Sequence, residues 1–270
     1  MSAITAERDA AVGWRVRWRS VAMPTEHGGW GLTLEPVLLG LLVGRSLAGL
    51  ALGVAAFTAF LIRTPAKLIA VDVRRGRWLD RTHLARRVVI AETVVLAVAV
   101  AVAVVLAGWS WLVPVVIAGP LVAVEFWFDI RSRGRRLIPE LCGAIGISAV
   151  AASIVIAAGQ GGGLAAGLWL VLAARAVGAI PFVRVQIVRL RRGHGPLWQS
   201  DLAQAVSLAV AAGAVVADQR MLLGALGVAL LAGAQCVWVR RVPMPAKQIG
   251  LRQMGLGLAL VAVTALGVLW

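Results

Sequence analysis

The sequence predicts an all-α membrane protein, a bundle of nine transmembrane helices, and three observations carry that expectation. Apolar runs of near-spanning length recur along the chain, in which 60% of residues are hydrophobic and 14% charged. Twenty-one of the 27 Lys and Arg residues fall in the N-terminal segment and in every second gap between those runs, while the alternate gaps carry only Arg45 and Arg220. That alternation is the signature of a fixed membrane orientation, because basic loops stay on the cytoplasmic side. The helices are also rich in Gly and Ala, which lets apolar helices approach closely in lipid.

The spans expected from hydropathy are residues 25–43, 46–72, 88–107, 109–128, 137–158, 164–190, 202–217, 221–239 and 249–270. They form one domain, 25–270, preceded by a basic and aromatic segment, 1–24, in which Trp14 and Trp18 alternate with Arg15, Arg17 and Arg19 as an interfacial anchor. That segment has no apolar stretch like that of a signal peptide, so it is expected to be retained. Basic clusters follow the second span (Arg74, Arg75, Arg77, Arg81, Arg86, Arg87), the fourth (Arg131, Arg133, Arg135, Arg136), the sixth (Arg189, Arg191, Arg192) and the eighth (Arg240, Arg241, Lys247, Arg252). These gaps are expected to be cytoplasmic, with the N-terminus inside and Trp270 outside, and Trp109 and Trp111 at the outer interface. The turns around Trp109 and over Gly159 to Gly163 are short and nearly uncharged, poor ground for a polar site.

A net charge of +15 would suggest nucleic-acid binding in a soluble protein. Here the charge lies in short loops, no DNA-reading motif accompanies it, and anionic lipid headgroups supply the partners. Nucleic acid is not an expected partner. Cys142 and Cys236 sit in apolar runs without a CxxC pair and read as small buried hydrophobes.

Once the loop charges are assigned to orientation, four cations remain in or at the margin of the spans: Arg63, Lys67, Arg175 and Arg184. Intramembrane charge needs a partner or a hydrated cavity, and is a functional hypothesis by default. Arg63 and Lys67 are four apart on one helical face, with Asp72 at the end of the same helix. Arg184 shares a face with Arg191, and Pro181 is expected to loosen the backbone nearby. Arg175 lies about 13 Å of helical rise away from Arg184, near mid-bilayer, and calls for a carboxylate. Glu35, Glu92 and Glu125 are the acids inside spans, Glu125 forming an i,i+4 pair with Asp129.

The segment Pro24 to Trp30 opens the first span. Thr25 is suited to cap it, Glu26 is favoured by the helix dipole, and Gly28 and Gly29 permit close packing. His27 is left over, and is suited to act as a general base, an anion donor, or a metal or haem ligand. One histidine is weak ground for haem, and no cofactor is expected.

PTEHGGWGLTLEPVLLGLLVG, residues 24–44, resembles the opening of the YwiC-like family of bacterial membrane proteins, with His27-Gly28-x-Trp30 its sharpest mark. LIRTPAKLIAVD (61–72), RLIPELCGAIGISAVAASIVIAAG (136–159) and FVRVQIVRLRRG (182–193) resemble later landmarks of that family. More remotely, nine spans, the Pro-x-x-x-Gly-x-Trp start followed by Pro36, and the basic gaps after spans two, four and six resemble the UbiA superfamily of intramembrane prenyltransferases. That likeness implies a UbiA-like bundle with a cytoplasm-facing cleft.

Such enzymes hold magnesium on a prenyl diphosphate through Asp-rich motifs at the ends of helices two and six. This chain has Arg63 and Lys67 with only Asp72 and Asp80 at the first place, and Arg184, Gln186 and Arg189 at the second. Guanidinium cannot ligate magnesium but does bind phosphate or carboxylate directly. The expected function is therefore binding, with or without transformation, of an anionic lipid or isoprenoid without magnesium. In that reading Arg63, Lys67, Asp72, Glu125, Asp129, Arg175, Arg184 and Arg189 contact the substrate, and Glu26 with His27 handles protons. The alternatives are a permease or lipid scramblase, and an accessory factor of a respiratory complex.

Overall fold

The computed structural model describes residues 18, 21–23, 27–131, 134 and 136–270. Nine α-helices and no strand occur among them: α1 (His27–Val43), α2 (Leu47–Arg74), α3 (Asp80–Ala107), α4 (Leu112–Ile130), α5 (Leu137–Ala157), α6 (Gly162–Arg192), α7 (Leu197–Ala217), α8 (Leu222–Trp238) and α9 (Ala246–Leu269). Eight apolar helical segments are long enough to cross a membrane, and α1 holds a shorter one. This is a multi-pass membrane protein.

The helix starts follow local chemistry. Ser46 caps α2 by accepting from the Gly49 N–H at 2.9 Å. Pro196 and Pro245 precede α7 and α9, where a missing N–H costs nothing. At the far end of α6, Gly193 adopts φ +78°, a left-handed conformation that stops the helix, and its N–H closes on the Arg189 carbonyl at 2.8 Å.

Hydropathy places the start of the third span at residue 88, whereas α3 begins at Asp80. The extra two turns are polar and ride beyond the apolar part of the helix, where they are fastened to α2. Arg81 grips Asp72 with two hydrogen bonds, Nη2 to Oδ1 at 2.8 Å and Nε to Oδ2 at 3.2 Å, and the Thr82 hydroxyl donates to Oδ2 at 2.8 Å. A hydropathy window detects lipid contact and not this staple.

The bundle is built around α5 and α6, which bury most of their spans, whereas α3 and α4 bury little. α1 packs on α5 and is flanked by α2 and α9. The α2–α3 hairpin and α4 close one side, and α7, α8 and α9 lead from α6 back to α1 on the other. Small residues such as Ala151, Ala152 and Ala174 line the centre with Leu39, Leu168 and Val171. α6 runs unbroken through Pro181, although a proline removes one hydrogen bond of the helical ladder. Consecutive helices reverse direction, so the basic gaps share one end of the bundle.

Candidate functional site

At the basic end α2, α4, α5 and α6 assemble an alternating layer of charge. Arg63 on α2 donates from Nε to Asp129 Oδ2 at 2.8 Å, and its Nη2 lies 2.7 Å from that oxygen and 2.8 Å from Glu125 Oε1. Lys67, one turn on, donates to Asp129 Oδ1 at 3.0 Å. The i,i+3 and i,i+4 geometry of the two helices makes this possible, since each presents its charged pair on one face.

The next members come from α5 and α6. A Cβ on Gly143 would collide with the Glu125 carboxyl group, so this glycine is the notch in α5 that seats the acid. Glu140, three residues earlier on α5, accepts from Arg184 Nη1 at 2.8 Å. Three cations thus face three carboxylates across four helices. Exposure grades outward: Asp129 is 1% exposed, Lys67 37% and Arg184 39%.

The opening turn of α1 reaches the same region. The Trp30 ring meets Phe60 edge-on at 5.2 Å between centroids, and a Cβ on Gly29 would press on the Phe60 ring at 2.9 Å. Phe60 is three residues from Arg63, so the second glycine of the His27-Gly28-Gly29-Trp30 run has a packing reason. Glu26 and the His27 side chain lie outside the described residues.

Three expected members of the site, Asp72, Arg189 and Arg175, are placed elsewhere. Asp72, 1% exposed, belongs to the α2–α3 staple about 13 Å of helical rise beyond Arg63. Arg189 donates Nη1 to the carbonyls of Val239 and, at 2.9 Å, of Arg241, capping the end of α8.

Arg175 stands apart, deep between α1, α6 and α9. Of the three acids inside spans, Glu35 is the one it faces, with Nη2 3.9 Å from Oε1. The closer contact is a hydrogen bond from Nη2 to the Gln253 backbone carbonyl at 2.7 Å. Both charged side chains are nearly enclosed. Gly257 on α9 leaves the room that the Glu35 carboxyl occupies, as Gly143 does for Glu125.

A neutral polar seam was not anticipated from the sequence. Gln204 on α7 donates to the Gly178 carbonyl at 2.9 Å and to Gln235 Oε1 of α8 at 3.0 Å, and Ser207 donates to the Ala174 carbonyl at 2.7 Å. Amides in apolar runs are the signal that marks such helix contacts. Among the described residues no three His, Cys, Asp or Glu side chains converge as a metal cage.

Residues 23–155 match the model of YwiC-like proteins. Over those residues the chain belongs to the YwiC-like family. No curated protein and no solved structure matches it. The YwiC-like region takes in α1 to α4 and nearly all of α5, hence Glu35, Arg63, Lys67, Glu125, Asp129 and Glu140. It stops short of α6, so Arg175, Arg184 and the FVRVQIVRLRRG stretch lie beyond it.

Proposed function

We propose that this YwiC-like membrane protein binds an anionic amphiphile, a lipid or isoprenoid bearing a phosphate or carboxylate headgroup, at the charged layer of its basic end. That end faces the cytoplasm in this reading, as the distribution of Lys and Arg favours. The supporting observation is the graded exposure of the layer. Lys67 spends one hydrogen bond on buried Asp129 and is 37% exposed, while Arg184 is 39% exposed against Glu140. The carboxylates hold the cations in place, and a headgroup competes with Asp129 for Lys67 and with Glu140 for Arg184 by charge-assisted hydrogen bonds that need no metal. Where the ligand is also transformed, Glu26 and His27 at the start of α1 are the groups assigned to proton handling.

Mass spectrometry of lipid co-purifying with wild type and with K67Q/R184Q tests this. The expected result is a several-fold loss of one anionic species in the variant, with neutral lipid unchanged. Added phospholipid or added prenyl phosphate restoring binding to wild type alone identifies the source of the headgroup. An identical anionic lipid content in the two proteins overturns the proposal. Arg189 is unsuited to this test because it caps α8.

A further inference from the structure

The polar cluster that the headgroup layer leaves unused is Glu35, Arg175 and Gln253. Its groups are enclosed, with side-chain exposures of 6% for Glu35 and 5% for Arg175, and Gln253 8% exposed. It is incompletely matched. Arg175 has its hydrogen bond to the Gln253 carbonyl, but the Glu35 carboxylate stands 3.9 Å from the guanidinium, beyond hydrogen-bond reach. Arg175 Nε and both side-chain amide atoms of Gln253 are buried without a partner among the described residues.

The backbone adds acceptors at the same depth. Pro36 follows Glu35 in α1 and Pro181 lies six residues after Arg175 in α6. A proline offers no N–H to the carbonyl four residues earlier, so the Leu32 and Val177 carbonyls are released within about a turn of the two charges. Apart from the bond between Arg175 and the Gln253 carbonyl, the buried Arg175 Nε and the Gln253 amide atoms are left unmet beside the Glu35 carboxyl group. A molecule that both donates and accepts, and is small enough to fit among them, completes the set, and water does so with two to four polar partners.

We propose that Glu35, Arg175 and Gln253 enclose an internal hydrated proton-binding site, in which Glu35 takes the proton and Arg175 is its counter-ion. The carboxylate accepts a proton from hydronium, leaving carboxylic acid and water, and the cluster passes from neutral to a single positive charge. In the ionised state water donates to Glu35 and to Gln253 Oε1. In the protonated state the Glu35 hydroxyl supplies a donor itself, and Arg175 keeps its bond to the Gln253 carbonyl.

Charges on the helices packed against α1 are otherwise engaged or distant. Arg63 and Lys67 of α2 turn to Asp129, Glu140 of α5 turns to Arg184, and Arg252 of α9 lies over the Trp238 ring. Asp72 and Arg74 of α2, Arg189 to Arg192 of α6 and Lys247 of α9 sit at the basic end. Among the described residues Arg175 is the charge that faces Glu35.

Two measurements on the purified full-length protein test the site. Infrared difference spectroscopy over a pH titration should show a protonated-carboxyl band that is absent in E35Q and displaced in frequency in E35D. Radiolytic hydroxyl-radical labelling reports internal water beside Glu35 when wild type is compared with R175M/E35M, which lacks the charges that would hold it. Met254 and Glu35 Oε1 both lie within 4.0 Å of the position a Cβ would take on Gly31, whereas Met221 is fully buried in the apolar core. Met254 is half-buried, so the expected result is a several-fold faster oxidation of Met254 in wild type than in R175M/E35M, with Met221 equally protected in both. A carboxyl band unchanged in E35Q, or Met254 labelled equally in wild type and R175M/E35M, overturns the proposal.

Discussion

The layer around Asp129 and the cluster around Arg175 use the same kinds of side chain and differ in how well the charges are matched. At Asp129 two cations close on one carboxylate at 2.7 to 3.0 Å, and both cations are partly exposed. At Arg175 the pair is enclosed, 3.9 Å apart, and shares its hydrogen bonding with a backbone carbonyl. A well-matched, partly exposed pair satisfies its members while water still reaches them. A loosely matched pair in a dry setting retains unsatisfied polar groups, each worth about 1–3 kcal/mol, and demands something to satisfy them.

That contrast is broken or sharpened first by charge removal. R175M leaves Glu35 buried without its cation, and the expected destabilisation is about 3–5 kcal/mol, read as loss of monodisperse protein on heating in detergent. The double variant R175M/E35M should regain most of it. D129N leaves Arg63 and Lys67 partly hydrated, so a smaller loss, about 1–3 kcal/mol, is expected in the same assay. Equal losses for R175M and D129N would erase the distinction between the two regions.

The glycine notches come next. G257A drives a methyl group into the enclosed Glu35 carboxyl and should cost about 1–3 kcal/mol as an overpacking change. G143A makes the same collision with Glu125, but Glu125 is 17% exposed and has somewhere to turn, so a smaller fall in melting temperature is expected.

The smallest effect is expected at the opposite end of the bundle, where Asp218 caps the turn Gln219–Met221 and pairs with Arg220 at 2.8 Å. The hydrogen bond from Arg220 holds the Asp218 carboxyl below the ordinary aspartate value. A carboxyl depressed on folding stabilises above its unfolded pKa, and the contribution is lost as pH falls through the folded value. D218N should therefore cost about 0–1 kcal/mol at neutral pH, and wild type and variant should converge in acid.

Hydropathy and the alternation of basic gaps made the nine helices and their common basic end legible in the sequence, with most boundaries within a few residues. The staple of Asp72 to Arg81 and Thr82 was not legible, because it lies on polar turns beyond the apolar segment. Charge spacing placed Arg63 with Lys67 and Glu125 with Asp129 on their own helices. That these pairs face each other depends on the register between α2 and α4, about sixty residues apart, which no local pattern encodes. The need of Arg175 for an acid was readable from its depth, and three candidates stood equal until packing brought α1 beside α6. Glu140 escaped notice because an acid in a first helical turn is already explained by the helix dipole. Gln204, Gln235 and Gln253 carry no charge and were hidden in apolar runs.

Gly257 seats the Glu35 carboxyl by lacking a side chain, so the position of that acid depends on the gap between α1 and α9. A shift of α9 toward α1 by the width of one methyl group would press the carboxyl out of its seat. Glu35 is therefore a gauge of helix spacing. A lateral squeeze that brings α9 toward α1 presses directly on that carboxyl.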